Sequence, residues 1–197
     1  MAEEAPGPAR RSGRPKQVDR HRVALVALDL FERDGYDAVT MRAVAEAAGV
    51  SQRTLFREFP AKADLAWEGM RDAIGQIEAA APAWAGREAT LGEIVETVVL
   101  GLFRRADDPE LGAFARRSFR VIATSPGIRG HASVGEASRA LERVIEACGA
   151  AGDRPAGLVA DALVGAAVAA TFWWACADTT LTLEGAARVA LESLSVG

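Results

Sequence analysis

Apolar residues recur along most of the chain at the three- and four-residue spacing of helices, and this pattern predicts an all-α protein. Val23, Ala27 and Phe31 lie on one face of a first helix, which Gly35 ends as a C-cap residue. No segment has the strict alternation or the β-branched run that is typical of a strand. The pattern predicts about nine helices.

Two short helices joined by a tight turn are predicted between Thr40 and Phe59. Thr40 and Ser51 are the predicted N-caps, because a hydroxyl at this position accepts a backbone N–H of the first turn. Gly49 permits the left-handed backbone conformation that the turn requires. The size and spacing are those of a helix-turn-helix. The periodicity leaves three polar side chains on the outer surface of the second helix: Gln52, Arg53 and Arg57.

Charge is divided unevenly along the chain, although the net charge is −4. Residues 1–62 contain 11 Lys/Arg and 9 Asp/Glu, whereas residues 63–197 contain 12 and 18. Affinity for nucleic acid depends on local cationic density, so the basic N-terminal part remains compatible with DNA. We predict a disordered basic arm over residues 1–17, a helix-turn-helix domain over 18–62, and a helical domain over 63–197.

The C-terminal part carries further helix signals. One long helix is predicted from Leu65 through Ile77. Other helix starts are marked by the capping boxes Thr90–Glu93 and Ser133–Glu136, by the Asp108–Pro109 pair and by Thr182. The run 162–177 is uncharged, but it is shorter than the roughly 20 apolar residues of a membrane span, so a buried helix is predicted.

The sequence has few features that are typical of an enzyme or of a metal-binding protein. Cys148 and Cys176 lie in apolar helical sequence, which predicts buried thiols in a reducing cytoplasm. His21 and His131 lack metal-ligand spacing and an obvious carboxylate partner. No catalytic motif is present. We therefore predict no catalytic residue, no metal and no cofactor.

The run VTMRAVAEAAGVSQRTLFREFPAKADL, residues 39–65, resembles the TetR family of bacterial transcription regulators. The positions that agree with the family pattern are Thr40, Val44, Ala45, Ala48, Gly49, Val50, Ser51, Thr54, Leu55, Phe56, Phe59, Lys62 and Leu65. Two positions depart from it. Phe56 stands where the family often has Tyr, and Ala61 stands where a Ser or Asn commonly caps the fourth helix.

The resemblance implies a homodimer that places its third helix in the DNA major groove. Arg suits guanine and Gln suits adenine, while Thr and Lys side chains bind phosphates. The predicted DNA-binding residues are Arg14, Thr40, Arg42, Gln52, Arg53, Thr54, Phe56, Arg57 and Lys62. Arg14 belongs to the tetrapeptide of residues 13–16, which resembles an AT-hook core that lies in the minor groove. The alternative is a solubilising tail.

The resemblance also implies a small-molecule effector that releases the protein from its operator. The predicted ligand-binding residues are Trp67, Met70, Phe103, Phe114, Phe172 and Trp173, although each could instead be core. Few charges accompany them, which favours an apolar or amphiphilic effector. The run of residues 53–70 further resembles the mycofactocin-associated branch of the family, which is linked to acyl-coenzyme A ligands.

The last two predicted helices contain a pattern of small residues that predicts dimerisation. Ala162, Ala166 and Ala170 recur four residues apart, and small side chains let helices approach closely. Trp174 and Leu191 complete the predicted dimer interface. Trp173 and Trp174 are about 100° apart on a helix, so one is expected in the cavity and the other at the partner. The alternative function is a helical dimeric ligand-binding protein, or an enzyme, with a non-functional DNA-binding module.

Overall fold

The computed structural model describes residues 18–195, which form helices joined by short loops and contain no strand. The predicted basic arm, with Arg14 and its tetrapeptide, lies outside these residues. The N-terminal helices are α1 (Arg20–Asp34), α2 (Met41–Ala48), α3 (Gln52–Glu58) and α4 (Lys62–Ala66). The remaining helices are α5 (Glu68–Trp84), α6 (Leu91–Ile94), α7 (Leu100–Arg104), α8 (Pro109–Thr124), α9 (Ala132–Cys148), α10 (Ala156–Cys176) and α11 (Leu183–Glu192).

A π-helical turn, Val95–Val99, joins α6 to α7 in one continuous rod. With that rod counted once, the described residues form ten helices where about nine were expected. The difference arises at Trp67, whose backbone interrupts the single helix predicted from Leu65 to Ile77 and separates α4 from α5. Short 3-10 turns also follow α7, α8 and α11.

The three predicted caps of the N-terminal helices are confirmed. The N–H of Gly35 donates to the carbonyl of Phe31 at 3.0 Å and ends α1. The hydroxyls of Thr40 and Ser51 accept backbone N–H groups at the starts of α2 and α3. Each cap satisfies a donor that the first turn of a helix leaves without an internal partner.

The N-terminal helices share one core with α8. Its centre is formed by fully buried side chains of α1 to α4: Leu28, Val44, Leu55, Phe59 and Leu65. Phe114 and Ile122 of α8 belong to the same cluster. Burial of these side chains excludes water and holds α3 against α1 and α2. The domain boundary after Lys62 remains a prediction. Leu65 lies beyond that boundary, yet it packs with the helices that precede it.

A second core fills the space between α5, α9, α10 and the α6–α7 rod. Leu141, Val144 and Ile145 of α9 are completely buried at its centre. α10 is long and apolar enough to pass as a membrane span, yet it packs against α8, α9 and α11. Only a third of its most apolar window is buried, so much of its outer face is uncharged as well.

Two local predictions in the C-terminal part are wrong. Ser133 does not cap α9, because His131 is the N-cap and its Nδ1 accepts the backbone N–H of Ser133 at 3.2 Å. An imidazole two residues earlier therefore replaces the predicted Ser133–Glu136 capping box. Cys148 is buried as predicted, whereas Cys176 is exposed at the end of α10.

Candidate nucleic-acid interface and ligand cavity

The turn before α3 fixes the direction of this helix. Gly49 adopts φ 68° and ψ 30°, and the next N–H, that of Val50, donates to the carbonyl of Ala45 at 3.0 Å. The Ser51 hydroxyl accepts the N–H of Thr54 at 3.1 Å. Leu55 is fully buried beneath α3. Two caps and one apolar anchor therefore set the direction of this short helix.

The outer face of α3 is polar and open to solvent. Gln52, Arg53, Phe56 and Arg57 are exposed, and Thr54 is half-buried. Phe56 keeps 48% of its surface exposed, which is unusual for a phenylalanine in a helix of a folded domain. This face is therefore not used for packing within the subunit.

The predicted arginines differ in their partners. Arg57 pairs with Glu58 at 2.9 Å, and Arg42 pairs with Glu46 at 2.8 Å. Exposed pairs of this kind contribute about 0–1 kcal/mol and break readily. Among residues 18–195, Arg53 has no ion-pair partner, so it is the arginine of α3 most available to an external acceptor.

Lys62 has a different environment from the one predicted. Its Nζ donates to the carbonyls of Tyr36 and Val39 at 2.7 and 2.9 Å, and it lies 4.2 Å from the centre of the Tyr36 ring. The carbonyl of Asp37 is a further acceptor at 3.4 Å. An ammonium group has three donors, and all are directed at this loop. In this conformation Lys62 positions the α1–α2 loop and has no donor left for a phosphate.

A partly buried ion pair connects α1, α3 and α5, and sequence reasoning missed it. Nε and Nη2 of Arg20 donate to the two carboxylate oxygens of Glu68 at 2.7 and 2.6 Å. Nη1 of Arg20 donates to the carbonyl of Glu58, and its guanidinium lies 4.1 Å from the centre of the Phe59 ring. The carboxylate of Glu68 raises the pKa of Arg20. The end of α3 is thereby tied to the first residue of α5.

Further contacts join the N-terminal helices to the rest of the chain. Arg117 of α8 donates to carboxylates of Asp29 and Glu32 in α1 at 2.6 and 2.7 Å. Nε2 of His131 lies 2.9 Å from Oδ1 of Asp64 in α4. The carboxylate of Asp64 also accepts the N–H of Ala61, which partly replaces the hydroxyl cap that Ala61 lacks. These contacts couple the orientation of the helix-turn-helix to α8 and α9.

A cavity of about 190 Å³ lies between α1, α5, α7, α8, α9 and α10. Four of the six predicted ligand-binding side chains line it: Trp67, Met70, Phe103 and Phe114. Phe172 packs behind the wall, with its ring 6.4 Å from that of Trp67 and 5.8 Å from that of Phe119. Trp173 is on the outer surface and 51% exposed. The predictions for these last two residues are therefore corrected.

The cavity is apolar inside and polar at its opening. Its exposed lining includes His21, Asp72 and Arg105, and the Arg105 guanidinium donates to the side chain of Gln76 at 2.7 Å. His21 belongs to α1, and its ring centre is 4.4 Å from that of Phe114. The sequence of α1 does not predict that His21 lies at the cavity opening, because this position depends on how α8 packs across α1. One wall of the cavity is thus part of the N-terminal helices.

The outer face of α10 carries an apolar stripe that we call the α10 stripe: Leu158, Ala162, Gly165, Ala169 and Trp173. Leu158 and Trp173 are 67% and 51% exposed. Ala162 lies on the stripe and Ala166 is half-buried beside it, and their place in a dimer interface stays a prediction. An exposed apolar row at three- and four-residue spacing is typical of a helix–helix interface.

Three predicted interface residues instead pack inside the subunit: Ala170, Trp174 and Leu191. Nε1 of Trp174 donates to the carbonyl of Leu181 at 3.0 Å, and the guanidinium of Arg116 lies 4.0 Å from the centre of its ring. The two tryptophans therefore exchange the orientations that were predicted, since Trp174 faces inward and Trp173 faces outward.

Comparison with known sequences gives one family match. Residues 25–68 match the family described as bacterial regulatory proteins, tetR family. The Mycobacterium tuberculosis protein described as a mycofactocin biosynthesis transcriptional regulator, MftR, is 32% identical over 68 residues, which are 34% of this chain and 34% of that protein. The match thus spans about a third of that relative's length.

Comparison with solved structures extends the similarity to most of the chain. Thermus thermophilus FadR, a TetR-family transcriptional repressor in complex with lauroyl-CoA, has a TM-score of 0.53 at 20% identity, covering 89% of this chain and 93% of FadR. A TetR-family transcriptional regulator from Syntrophomonas wolfei has a TM-score of 0.61 at 21% identity, covering 90% and 95%. These structures share the fold. Residues 25–68 thus match the DNA-binding domain of the tetR family, and the chain as a whole has the all-helical fold of these solved regulators.

Proposed function

We propose that this chain is a cytoplasmic, homodimeric transcription repressor that leaves its DNA operator when a small apolar or amphiphilic ligand enters the cavity. The observation that carries the proposal is the exposed polar face of α3, which is held by two caps and the buried Leu55. That FadR is a repressor with an acyl-coenzyme A complex supports the same class of function for a chain of this fold.

The chemistry of α3 supports readout of bases in the major groove. Arg53 can donate two parallel hydrogen bonds to guanine, and Gln52 can pair with adenine. Each such bidentate contact contributes about 1–3 kcal/mol of discrimination against a wrong base. Phe56 offers an apolar surface to a thymine methyl group. Thr40, Thr54, Arg42 and Arg57 are the proposed phosphate contacts, because phosphate contacts fix the position of a protein on the duplex.

The cavity supports release by a ligand because its walls come from both parts of the chain. Its volume of about 190 Å³ is below the roughly 300–1,000 Å³ of most ligand pockets. A ligand must therefore widen it and displace the lining residues His21 of α1 and Trp67 at the end of α4. A coupling of about 1–3 kcal/mol between ligand and operator is typical. An amphiphile with an apolar chain, such as an acyl-coenzyme A, matches the apolar interior and the polar opening.

The α10 stripe supports assembly with a second copy of the chain. Leu158 and Trp173 leave apolar surface in water, and the small residues between them permit close approach of an identical helix. α10 and α11 of two subunits would form a four-helix interface. A two-fold dimer would present two α3 helices to successive major grooves when they are about 34–36 Å apart.

The proposal is tested by a gel-shift titration of the full chain against the DNA upstream of its own gene. The wild type should bind saturably and with a steep salt dependence, because phosphate contacts release counterions. Arg53→Ala should alter the preference among operator variants, whereas the control Arg139→Ala, an exposed arginine of α9, should not. Absence of saturable binding would favour the alternative of a helical ligand-binding dimer or enzyme with a non-functional DNA-binding module.

A further inference from the structure

Two buried hydroxyl groups line the cavity, and they differ in one respect. Ser118 of α8 and Thr171 of α10 are each 2% exposed. The Thr171 hydroxyl donates to the carbonyl of Ala167 at 2.8 Å. The Ser118 Oγ has no hydrogen-bond partner within the part of the chain that the structure describes. A buried hydroxyl without a hydrogen-bond partner is unfavourable, so a ligand group that bonds to Ser118 Oγ would bind with a more favourable free energy.

The position of Ser118 along α8 relates it to the opening of the cavity. The lining on this helix passes from the exposed Leu111 to the buried Phe114 and then to Ser118. Seven residues of an α-helix span about 10 Å. A ligand that keeps a polar end at the opening, near Arg105, would therefore meet Ser118 with a part of its body that is otherwise surrounded by apolar side chains.

We infer that the effector carries an oxygen acceptor or donor, such as a carbonyl or hydroxyl group, within its apolar body, and that the Ser118 hydroxyl binds it. This inference rests on the proposed ligand cavity and specifies the class of ligand. The apolar lining binds the body of the ligand by burial, and Ser118 selects against a hydrocarbon of the same shape. Thr171 does not select in this way, because its hydroxyl is already bonded to its own helix.

The test uses two probes of the same shape, p-cresol and p-xylene, which differ by a hydroxyl in place of a methyl group. Apolar cavities of about 150 Å³ are known to bind benzene, so a cavity of this size suits such probes. The dissociation constant of each probe is measured by calorimetry for the full-length wild type, for Ser118→Ala and for Thr171→Val. The ratio of the two constants is compared between the proteins, because the difference in hydration between the probes is the same for each protein and cancels in that comparison.

Ser118→Ala should shift that ratio about fivefold against p-cresol, which is the factor expected for the loss of one net hydrogen bond. Thr171→Val should leave the ratio unchanged. The thermal midpoint of Ser118→Ala should stay the same or rise, since no satisfied bond is removed. An unchanged ratio in Ser118→Ala, an equal shift in Thr171→Val, or no binding of either probe to the wild type would overturn the inference.

Two further outcomes distinguish a ligand-binding Ser118 from a Ser118 that bonds within its own helix, and the ligand site from the proposed repressor function. A fall of several degrees in the midpoint of Ser118→Ala would mean that the hydroxyl bonds back to its own helix, as serines in helices can, and would also overturn the inference. A wild type that binds no operator but shows the Ser118-dependent ratio would refute the proposed repressor and support the ligand site.

Discussion

Glu68→Gln should lower the free energy of unfolding by about 3 kcal/mol, because it leaves a guanidinium facing a neutral amide in the interior. The carboxylate of Glu68 is 4% exposed and accepts two hydrogen bonds from Arg20 at 2.7 and 2.6 Å. Breaking a buried pair by removing one partner costs about 3–5 kcal/mol. We expect the lower end of this range, since Arg20 retains 19% of its side-chain exposure and can recover some hydration.

The assay is thermal and urea unfolding of the single variants Glu68→Gln and Arg20→Met and of the double variant. For a chain of this length, 1 kcal/mol corresponds to about 2–4 °C, so Glu68→Gln should melt about 6–12 °C lower. The double variant should lose less stability than the sum of the single losses, because its amide no longer faces a guanidinium whose remaining carboxylate partner, Glu58, is 3.6 Å away. The resulting coupling energy should exceed about 1 kcal/mol.

The same pair should transmit the response to ligand. Arg20 also donates to the carbonyl of Glu58 at the end of α3. Weakening the bond between Arg20 and Glu68 therefore loosens the connection between α3 and α5. Glu68→Gln should still bind an acyl-coenzyme A, but this ligand should release the variant from DNA less effectively than it releases the wild type. Additive single losses, or a loss below about 1 kcal/mol for Glu68→Gln, would refute the assignment of a coupled buried pair.

Three further predictions concern the dimer interface, the contact of Lys62 with the α1–α2 loop, and the dependence of stability on acidic pH. Trp173→Glu should give monomers by light scattering, whereas Phe56→Glu, a similarly exposed aromatic on α3, should stay dimeric and lose DNA binding. Lys62→Met should weaken DNA binding without changing its salt slope, and a slope reduced by about 1 would instead indicate a phosphate contact. The backbone N–H of Thr90 lowers the pKa of Glu93, so the stability that Glu93 contributes is present above its ordinary pKa of 4.5 and is lost as the pH falls through the lowered value. The difference in melting temperature between wild type and Glu93→Ala should therefore disappear on acidification, and a difference that persists would contradict this cause.

The ends of the short helices could be predicted from the sequence because the groups involved are close neighbours in the chain. Thr40, Gly49 and Ser51 act on backbone groups within four residues, so their caps depend little on the rest of the fold. The outward direction of Gln52 and Arg53 follows from the same helical period once Leu55 is buried. The sequence therefore determined the recognition helix and its polar surface.

The tertiary structure alone decided the roles of residues whose neighbours are distant in the chain. α10 is apolar on all sides, so its periodicity could not tell which of Trp173 and Trp174 faces inward, and packing against α8, α9 and α11 made that choice. Lys62 meets loop carbonyls more than 20 residues earlier, and Arg20 meets a carboxylate 48 residues later. Such contacts depend on how helices cross, and a one-dimensional pattern of apolar residues specifies which helices form but not how they cross.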